Sequence, residues 1–296
     1  MQIAVIGSIN MDQVVTTERI PQKGETIHGN DLNYIPGGKG ANQAVAMARL
    51  GAQVTMFGCV GDDDNGRKLI DNLQKEQVDT SRIKTVKDTP TGLAVITVAE
   101  NDNVIIVISG ANACVDRAYI DSIKDTLSMY DLVVLQHEIS QDTVHYVIDH
   151  CAAAGIPVVL NPAPAREVPL AIVEKVTYLT PNEHEAQLIF GGDASTEELL
   201  KRYPEKLIIT QGARGVSFGA KAKDIVTVPA YHVKVVDTTG AGDTLNGAFC
   251  VRIAAGDAIE DALRYANAAA GLSVEAFGAQ GGMPTDAAVR KRMETA

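Results

Sequence analysis

The stretch Val236-Asp237-Thr238-Thr239-Gly240-Ala241-Gly242-Asp243-Thr244-Leu245-Asn246-Gly247-Ala248-Phe249 decides how this chain is read. A β-prone run at 231–236 leads into a small Gly-spaced corner, which opens a helical pattern at 241–255. Glycines at such a corner let backbone N–H groups turn toward one point with no Cβ in the way. The first N–H groups of a helix lack internal partners, and the helix dipole adds positive potential there. The corner therefore suits a phosphoryl group on which negative charge builds. Asp243 stands in the same corner as a candidate proton acceptor, so the two features together point to phosphoryl transfer to a hydroxyl. A Gly-rich turn capped by an Asp accounts for the same residues, so the segment needs company.

Outward from this corner, strand-like and helix-like patterns alternate. Apolar runs at 3–6, 54–60, 132–136, 157–160, 176–179 and 207–210 read as strands. Helical patterns fall at 41–50, 65–77, 116–129, 141–154, 183–190, 195–203, 259–275 and 286–293. The alternation predicts an α/β fold, a doubly wound and mostly parallel sheet with ligands at the carboxyl ends of its strands. Residues 216–218 and 225–228 read as a hairpin. Two other β-rich regions break the pattern. One has pieces at 14–17, 26–28 and 32–35, interrupted by Pro21, Gly24 and Gly29; the other places 93–100 and 104–109 around Asn101-Asp102-Asn103 as a hairpin. The expectation is an α/β body from 1–12, 37–91 and 110–296 and a small β-sheet lid from 13–36 and 92–109.

At 296 residues the chain is long enough to bury about 75% of its unfolded surface. The net charge of −11, without any basic block, disfavours a nucleic-acid partner. Any anion site must then rely on backbone N–H groups more than on Lys and Arg. Cys59, Cys114, Cys151 and Cys250 are scattered with no CxxC, and read as reduced thiols in a reducing compartment. No basic leader or long apolar run is visible, so the expectation is a cytoplasmic protein without a membrane partner.

Polar residues gather where strands end. Asn10 and Asp12, two apart after the first strand, can point the same way and form a hydroxyl-binding pair, although an Asx-rich turn explains them too. Pro36-Gly37-Gly38-Lys39-Gly40-Ala41-Asn42-Gln43-Ala44 opens a helix. It lacks the Ser or Thr that follows Lys in a P-loop and does not fit GxGxxG, which disfavours a dinucleotide oxidoreductase. Glu138 ends the run at 132–136, next to His137, read as structural. Asn182 and Glu185 lie on one face at a helix start, where a capping box accounts for them equally well. Thr210-Gln211-Gly212-Ala213-Arg214-Gly215 ends another strand with two glycines.

DTTGAGD at 237–243 followed by a small, Asn-containing helix, together with GGKGANQA at 37–44 and NPAPAR at 161–166, resembles the ribokinase family of sugar kinases. The likeness spans nearly the whole chain, with the motifs in order. It implies ATP-dependent phosphorylation of the 5-hydroxyl of D-ribose, with deoxyribose, fructose and nucleoside kinases of the same fold as alternatives. A non-catalytic sugar or nucleotide sensor would be expected to lack Asp243 or its glycines. By resemblance, Asp243 is the base and Gly240, Ala241 and Gly242 form the anion hole. Asn10, Asp12, Gly38, Lys39, Gly40, Ala41, Asn42 and Glu138 bind the sugar. Asn182, residues 210–215 including Ala213 and Arg214, Gly242 and Asn267 meet the nucleotide. Glu185 serves Mg²⁺ together with Asn182. K⁺ falls to Asp237, Thr239, Ser273, Ala276, Gly278 and Gly282, the last lacking the Ser hydroxyl that relatives can offer. The family also implies a homodimer formed through the lid.

Overall fold

The computed structural model describes residues 1–100, 102–192, 194–221 and 224–295. Its first half runs β1 (Gln2–Ile6), β2 (Asn10–Thr16), β3 (Asp31–Gly37), α1 (Lys39–Arg49), β4 (Gln53–Gly61), α2 (Asp64–Lys75), β5 (Asp79–Val86), β6 (Gly92–Ala99) and β7 (Asp102–Ile108). A 3₁₀ turn at Gly110–Cys114 leads to α3 (Arg117–Ile123), β8 (Leu132–Gln136), α4 (Gln141–Ala154), β9 (Val158–Asn161), α5 (Leu170–Lys175) and β10 (Tyr178–Leu179). The chain ends with α6 (Glu183–Phe190), α7 (Thr196–Arg202), β11 (Ile208–Thr210), β12 (Val216–Gly219), β13 (Ile225–Val228), α8 (Ala241–Ala254), α9 (Ile259–Ser273) and α10 (Asp286–Glu294).

The main sheet has the order β10-β9-β8-β1-β4-β5, and every pairing in it is parallel. Its central strands are apolar on both faces because helices cover both, which is why β1 and β8 read as unbroken hydrophobic runs. One core layer packs α1, α8 and α9 against one face, and the other packs α3 and α4 against the opposite face. The doubly wound α/β expectation holds. Beyond β10, single parallel bridges (Leu179 to Leu207, Asn182 to Thr210) lead to an antiparallel three-stranded sheet, β11-β12-β13. The β12–β13 hairpin appears as expected.

The two β-rich regions pair as one four-stranded sheet, β3-β2-β6-β7. It is mixed: β2 runs parallel to β6, and the outer pairs are antiparallel. The expected boundary after residue 12 falls inside β2, so Asn10 and Asp12 belong to a strand of this sheet. Residues 26–28, expected as a strand piece, form none. Asn101 of the expected hairpin turn lies outside the described residues.

Three further elements depart from the sequence reading. β5, not expected, is an edge strand whose pattern is mostly exposed and charged, with no apolar run to reveal it. α5, a single short helix, was not expected either. Conversely, 231–236 is not a strand. It is an extended segment beside α9, and its end is held by Val236 and Asp237 N–H groups on the Val274 carbonyl, at 2.7 and 3.2 Å. β-prone residues become a strand only with a neighbour to pair with.

α1 and α8 cross so closely that a Cβ on Gly247 would lie 2.7 Å from Ala46 Cβ and 3.2 Å from the Gln43 carbonyl oxygen. Gly247→Val is expected to cost about 1–3 kcal/mol through overpacking. Urea unfolding measures this, and an unchanged midpoint would contradict the packing described.

Candidate active site

α8 starts from Gly240, which adopts φ +77° and has no room for a Cβ, since one would lie 2.4 Å from the Ala279 carbonyl oxygen. The Ala241 N–H donates back to the Thr238 carbonyl at 3.2 Å. Of the three expected anion-hole donors, Gly240 and Gly242 keep N–H groups with no acceptor among the described residues, and the Asp243 N–H joins them. Nothing lies within 4 Å of where a Gly242 side chain would begin, so this face is open.

Asp243 is 6% exposed. Its Oδ2 accepts a hydrogen bond from Asn42 Nδ2 at 3.0 Å and its Oδ1 one from Gln43 Nε2 at 3.1 Å. Both donors sit in the first turn of α1, so the starts of α1 and α8 are joined through this carboxylate. Gln43 is itself held, donating to Asn161 Oδ1 at 3.1 Å and accepting from Gln136 Nε2 at 2.7 Å. Asn42 Oδ1 accepts from Gln280 Nε2 at 3.0 Å, which links Asp243 to the loop at 276–282. Asn246 anchors the first turn of α8, donating to the Gly242 carbonyl and accepting from Thr180 Oγ1.

The expected sugar-binding residues converge beside this corner. Gly38, at φ +89°, turns the chain into α1, and a Cβ there would lie 2.7 Å from Asn10 N. Gly40 packs on Ser8, and the Ala41 N–H donates to the Ser8 carbonyl at 2.9 Å. Glu138 Oε2 accepts from Ser8 Oγ at 2.6 Å, Lys39 N at 3.0 Å and Asn10 Nδ2 at 3.3 Å. Gly37 makes room for Asp12, because a Cβ at 37 would lie 2.2 Å from Asp12 Oδ2. The Lys39 ammonium is pushed above the usual lysine range chiefly by Asp243, with Glu138, Glu185 and Asp12 adding to it. Four carboxylates thus face one ammonium. Asp12 yields: burial first, then the charges of Glu138 and Asp243, push its carboxyl up to about 7.

On the far side of α8, the capping box forms as the alternative reading anticipated. Asn182 Oδ1 accepts from Glu185 N and Glu185 Oε2 from Asn182 N, both at 2.8 Å. Glu185 is nevertheless buried, and that burial raises its carboxyl above the ordinary value. One pair of residues caps the helix and also puts a carboxylate within the field of Lys39 and Asp243. The loop at 210–215 lies against this cap. Gln211 N donates to the Gly215 carbonyl at 2.8 Å, and Gly212 and Gly215 have φ of +57° and +98°. Arg214 reaches Glu183 on α6 at 2.5 Å, so its guanidinium is already paired. Asn267 spends its amide hydrogens on the Val228 and Pro229 carbonyls, at 2.9 and 3.0 Å.

Asp237 Oδ1 accepts from Thr239 N and Oγ1, and its Oδ2 from Gly278 N at 2.9 Å. Burial alone would raise its carboxyl, but these hydrogen bonds outweigh burial and hold it below the usual range. A Cβ on Gly282 would lie 1.9 Å from the Ser273 carbonyl oxygen, so no serine fits there on this backbone. Among the described residues, no three His, Cys, Asp or Glu cluster as a metal site.

Ser8, Gln43, Asn112 and Gln280 hold this constellation together and were given no role from the sequence. The one signal they carried was polarity at positions otherwise small or apolar. His137 is fully buried, and burial, outweighing the nearby Pro162 and Pro164 backbone, pushes its imidazole down to about 4, consistent with a structural place.

A doubly wound fold and a Gly-spaced helix start carrying a buried carboxylate lie within the part of the chain that known relatives match in sequence. The pattern of the pfkB family carbohydrate kinases matches residues 1–286, and the chain belongs to that family. It is 50% identical over 283 residues to a ribokinase of Bacillus subtilis, covering 96% of each chain. It is 44% identical over 294 residues to a ribokinase of Lactococcus lactis, covering 99% of this chain and 97% of the relative. Among solved structures, Arabidopsis thaliana ribokinase complexed with ribose and ATP superposes with a TM-score of 0.90 at 31% identity, covering 99% of each chain.

Asp12 gives a stability test. Its carboxyl takes up a proton near pH 7 in the fold and near 3.8 when unfolded, so between those values the native state binds more protons. Its contribution to stability therefore falls as pH rises from about 4 to 7 and is flat above. Asp12→Asn is expected to remove that decline and raise the sugar-free melting temperature at pH 7.5. Scanning calorimetry across pH checks it, and a variant that tracks wild type would contradict it.

Proposed function

We propose that this chain transfers the γ-phosphoryl group of ATP to the 5-hydroxyl of D-ribose, giving ribose 5-phosphate and ADP. The observation that carries the reading is Asp243, held by two neutral amides beside the uncommitted N–H groups of Gly240 and Gly242. Asn10, Asp12, Lys39 and Glu138 grip the sugar so that its primary hydroxyl meets Asp243. As the hydroxyl oxygen forms its bond to the γ-phosphorus, its proton passes to the Asp243 carboxylate. The bond to the bridging oxygen breaks, and ADP leaves with that electron pair. The N–H groups at the start of α8 stabilise the charge on the transferring group.

The nucleotide lies along 210–215, Asn182 and the neighbourhood of Asn267. A polyanion entering a pocket already crowded with carboxylates needs a counter-charge. Glu185, whose second oxygen accepts no hydrogen bond among the described residues, is placed to hold Mg²⁺ through water. Bound there, such an ion would neutralise the polyphosphate, and Asp237 with the loop at 276–282 would hold K⁺, which would supply a further positive charge. Four unpaired cysteines fit a reducing cytoplasm. No helix of the described residues is long and apolar enough to cross a membrane.

The sheet β3-β2-β6-β7 acts as the lid and excludes water from the transfer. Its edge strand β7 exposes Val104, Ile105, Ile106, Val107 and Ile108, five consecutive apolar residues on both faces. One sheet face covers the sugar, and the other meets the lid of a second copy in a homodimer.

ATP-coupled turnover over a panel of pentoses, hexoses and nucleosides is expected to favour D-ribose; a stronger preference for 2-deoxyribose would overturn the substrate. Asp243→Ala is expected to lower kcat by about 10²–10⁴ while ribose affinity by calorimetry stays near wild type. Full activity in that variant would remove Asp243 as base. Ile106→Asp is expected to yield monomers in sedimentation, and an unchanged dimer would refute the lid contact.

A further inference from the structure

Asn112 lies in the 3₁₀ turn that follows β7, is 1% exposed, and takes no part in the chemistry above. Its side chain is fully engaged. Oδ1 accepts from Ile9 N at 2.9 Å, and Nδ2 donates to Asn10 Oδ1 at 2.7 Å and to the Ile9 carbonyl at 3.4 Å. A backbone N–H can only donate, so the Asn112 atom facing Ile9 N must be oxygen. Nδ2 must then face Asn10, and the Asn10 atom it meets must be an acceptor. Asn10 is left with its Nδ2 turned the other way, toward Glu138 Oε2 at 3.3 Å. The pair crosses Gly92, where a Cβ would lie 2.2 Å from Asn112 Nδ2 and 2.3 Å from Asn10 Oδ1. Any other residue at 92 would push the two amides apart.

We propose that Asn112 is a positioning residue that locks Asn10 as a hydrogen-bond donor toward the sugar, and thereby sets the preference for a pentose with vicinal hydroxyls. This inference rests on the pentose reading of the site. With Asn10 as donor and Asp12 and Glu138 as acceptors, the pocket matches hydroxyls that both accept and donate. A sugar lacking the hydroxyl leaves the fixed donor unpaired, and a fixed donor cannot turn to find another partner. An unlocked Asn10 can turn, so the penalty shrinks.

Asn112→Asp keeps the shape and the acceptor for Ile9 N but removes the donor to Asn10. The expected result is a ribose KM and calorimetric Kd raised roughly tenfold. The kcat and the KM for ATP stay within about twofold, and the kcat/KM ratio of ribose over 2-deoxyribose falls about tenfold. In an Asn10→Ala background the same substitution is expected to leave that ratio unchanged, which a general structural defect would not do. A ratio that stays at wild type, or falls equally in both backgrounds, overturns the proposal. Should Asn112→Asp not fold, Asn112→Ser, which is too short to reach Asn10, reads the same ratio. A wild-type chain inactive on ribose would overturn the pentose reading and this inference with it; an active wild type with an indifferent Asn112→Asp overturns this inference alone.

Discussion

The contact between Asp243 and the amides of Asn42 and Gln43 is the constraint on which the site depends. Two helix starts from opposite ends of the sequence, each preceded by glycine, are brought together by one buried carboxylate. Neutral amides fix its position by hydrogen bonds, while Lys39 acts on it only through its charge. The donors are themselves braced. Gln43 leans on Gln136 and Asn161 at the ends of β8 and β9, and Asn42 leans on Gln280. The position of this carboxylate is therefore set by the ends of the parallel sheet, where a doubly wound fold gathers its loops. The close crossing at Gly247 keeps the two helices near enough for short amide side chains to span them.

Around this contact the site accumulates negative charge that the fold does not neutralise. Asp12, Glu138, Glu185 and Asp243 all act on Lys39. Evenly solvated carboxylates would cost little, but these are partly or fully buried, and Asp12 responds by holding its proton to about pH 7. A hydroxyl-rich ligand would relieve this crowding by donating hydrogen bonds to the carboxylates. Stability given up in the empty pocket is the counterpart of affinity gained when it fills.

β2 couples the two parts of the molecule. It carries Asn10 and Asp12 at its start and continues as the second strand of the small sheet, so the polar cluster around Glu138 and the small sheet share one backbone. The lid's return into the body is tied to the same point, because Asn112 follows β7 and bonds to Ile9 and Asn10. Its outgoing side is tied at Thr91, whose N–H and hydroxyl both meet Asp63. The small sheet and the polar cluster at Asn10 are therefore tied by the same hydrogen bonds.

Much of this was legible locally. The strand–helix alternation, the stretch 132–136 as β8, 141–154 as α4, and the Gly-spaced starts of α1 and α8 all follow from patterns within a few residues, and such patterns set backbone conformation directly. Asp243, Asn10 and Asp12 were visible because they sit at such starts and ends. Partnership was not visible. Segment 231–236 has strand-like residues but no strand to join, while β5 has few apolar residues yet gains an edge. Gln43 and Gln280 read only as parts of a motif and a loop, and Asn112 as nothing in particular, because their roles lie in hydrogen bonds to residues 100 to 238 positions away. The sequence by itself determined most of the sheet strands and the Gly-spaced helix starts, since backbone preference is local. Only the tertiary structure decided which amide faces which carboxylate, because a hydrogen bond's partner is chosen by distance in space.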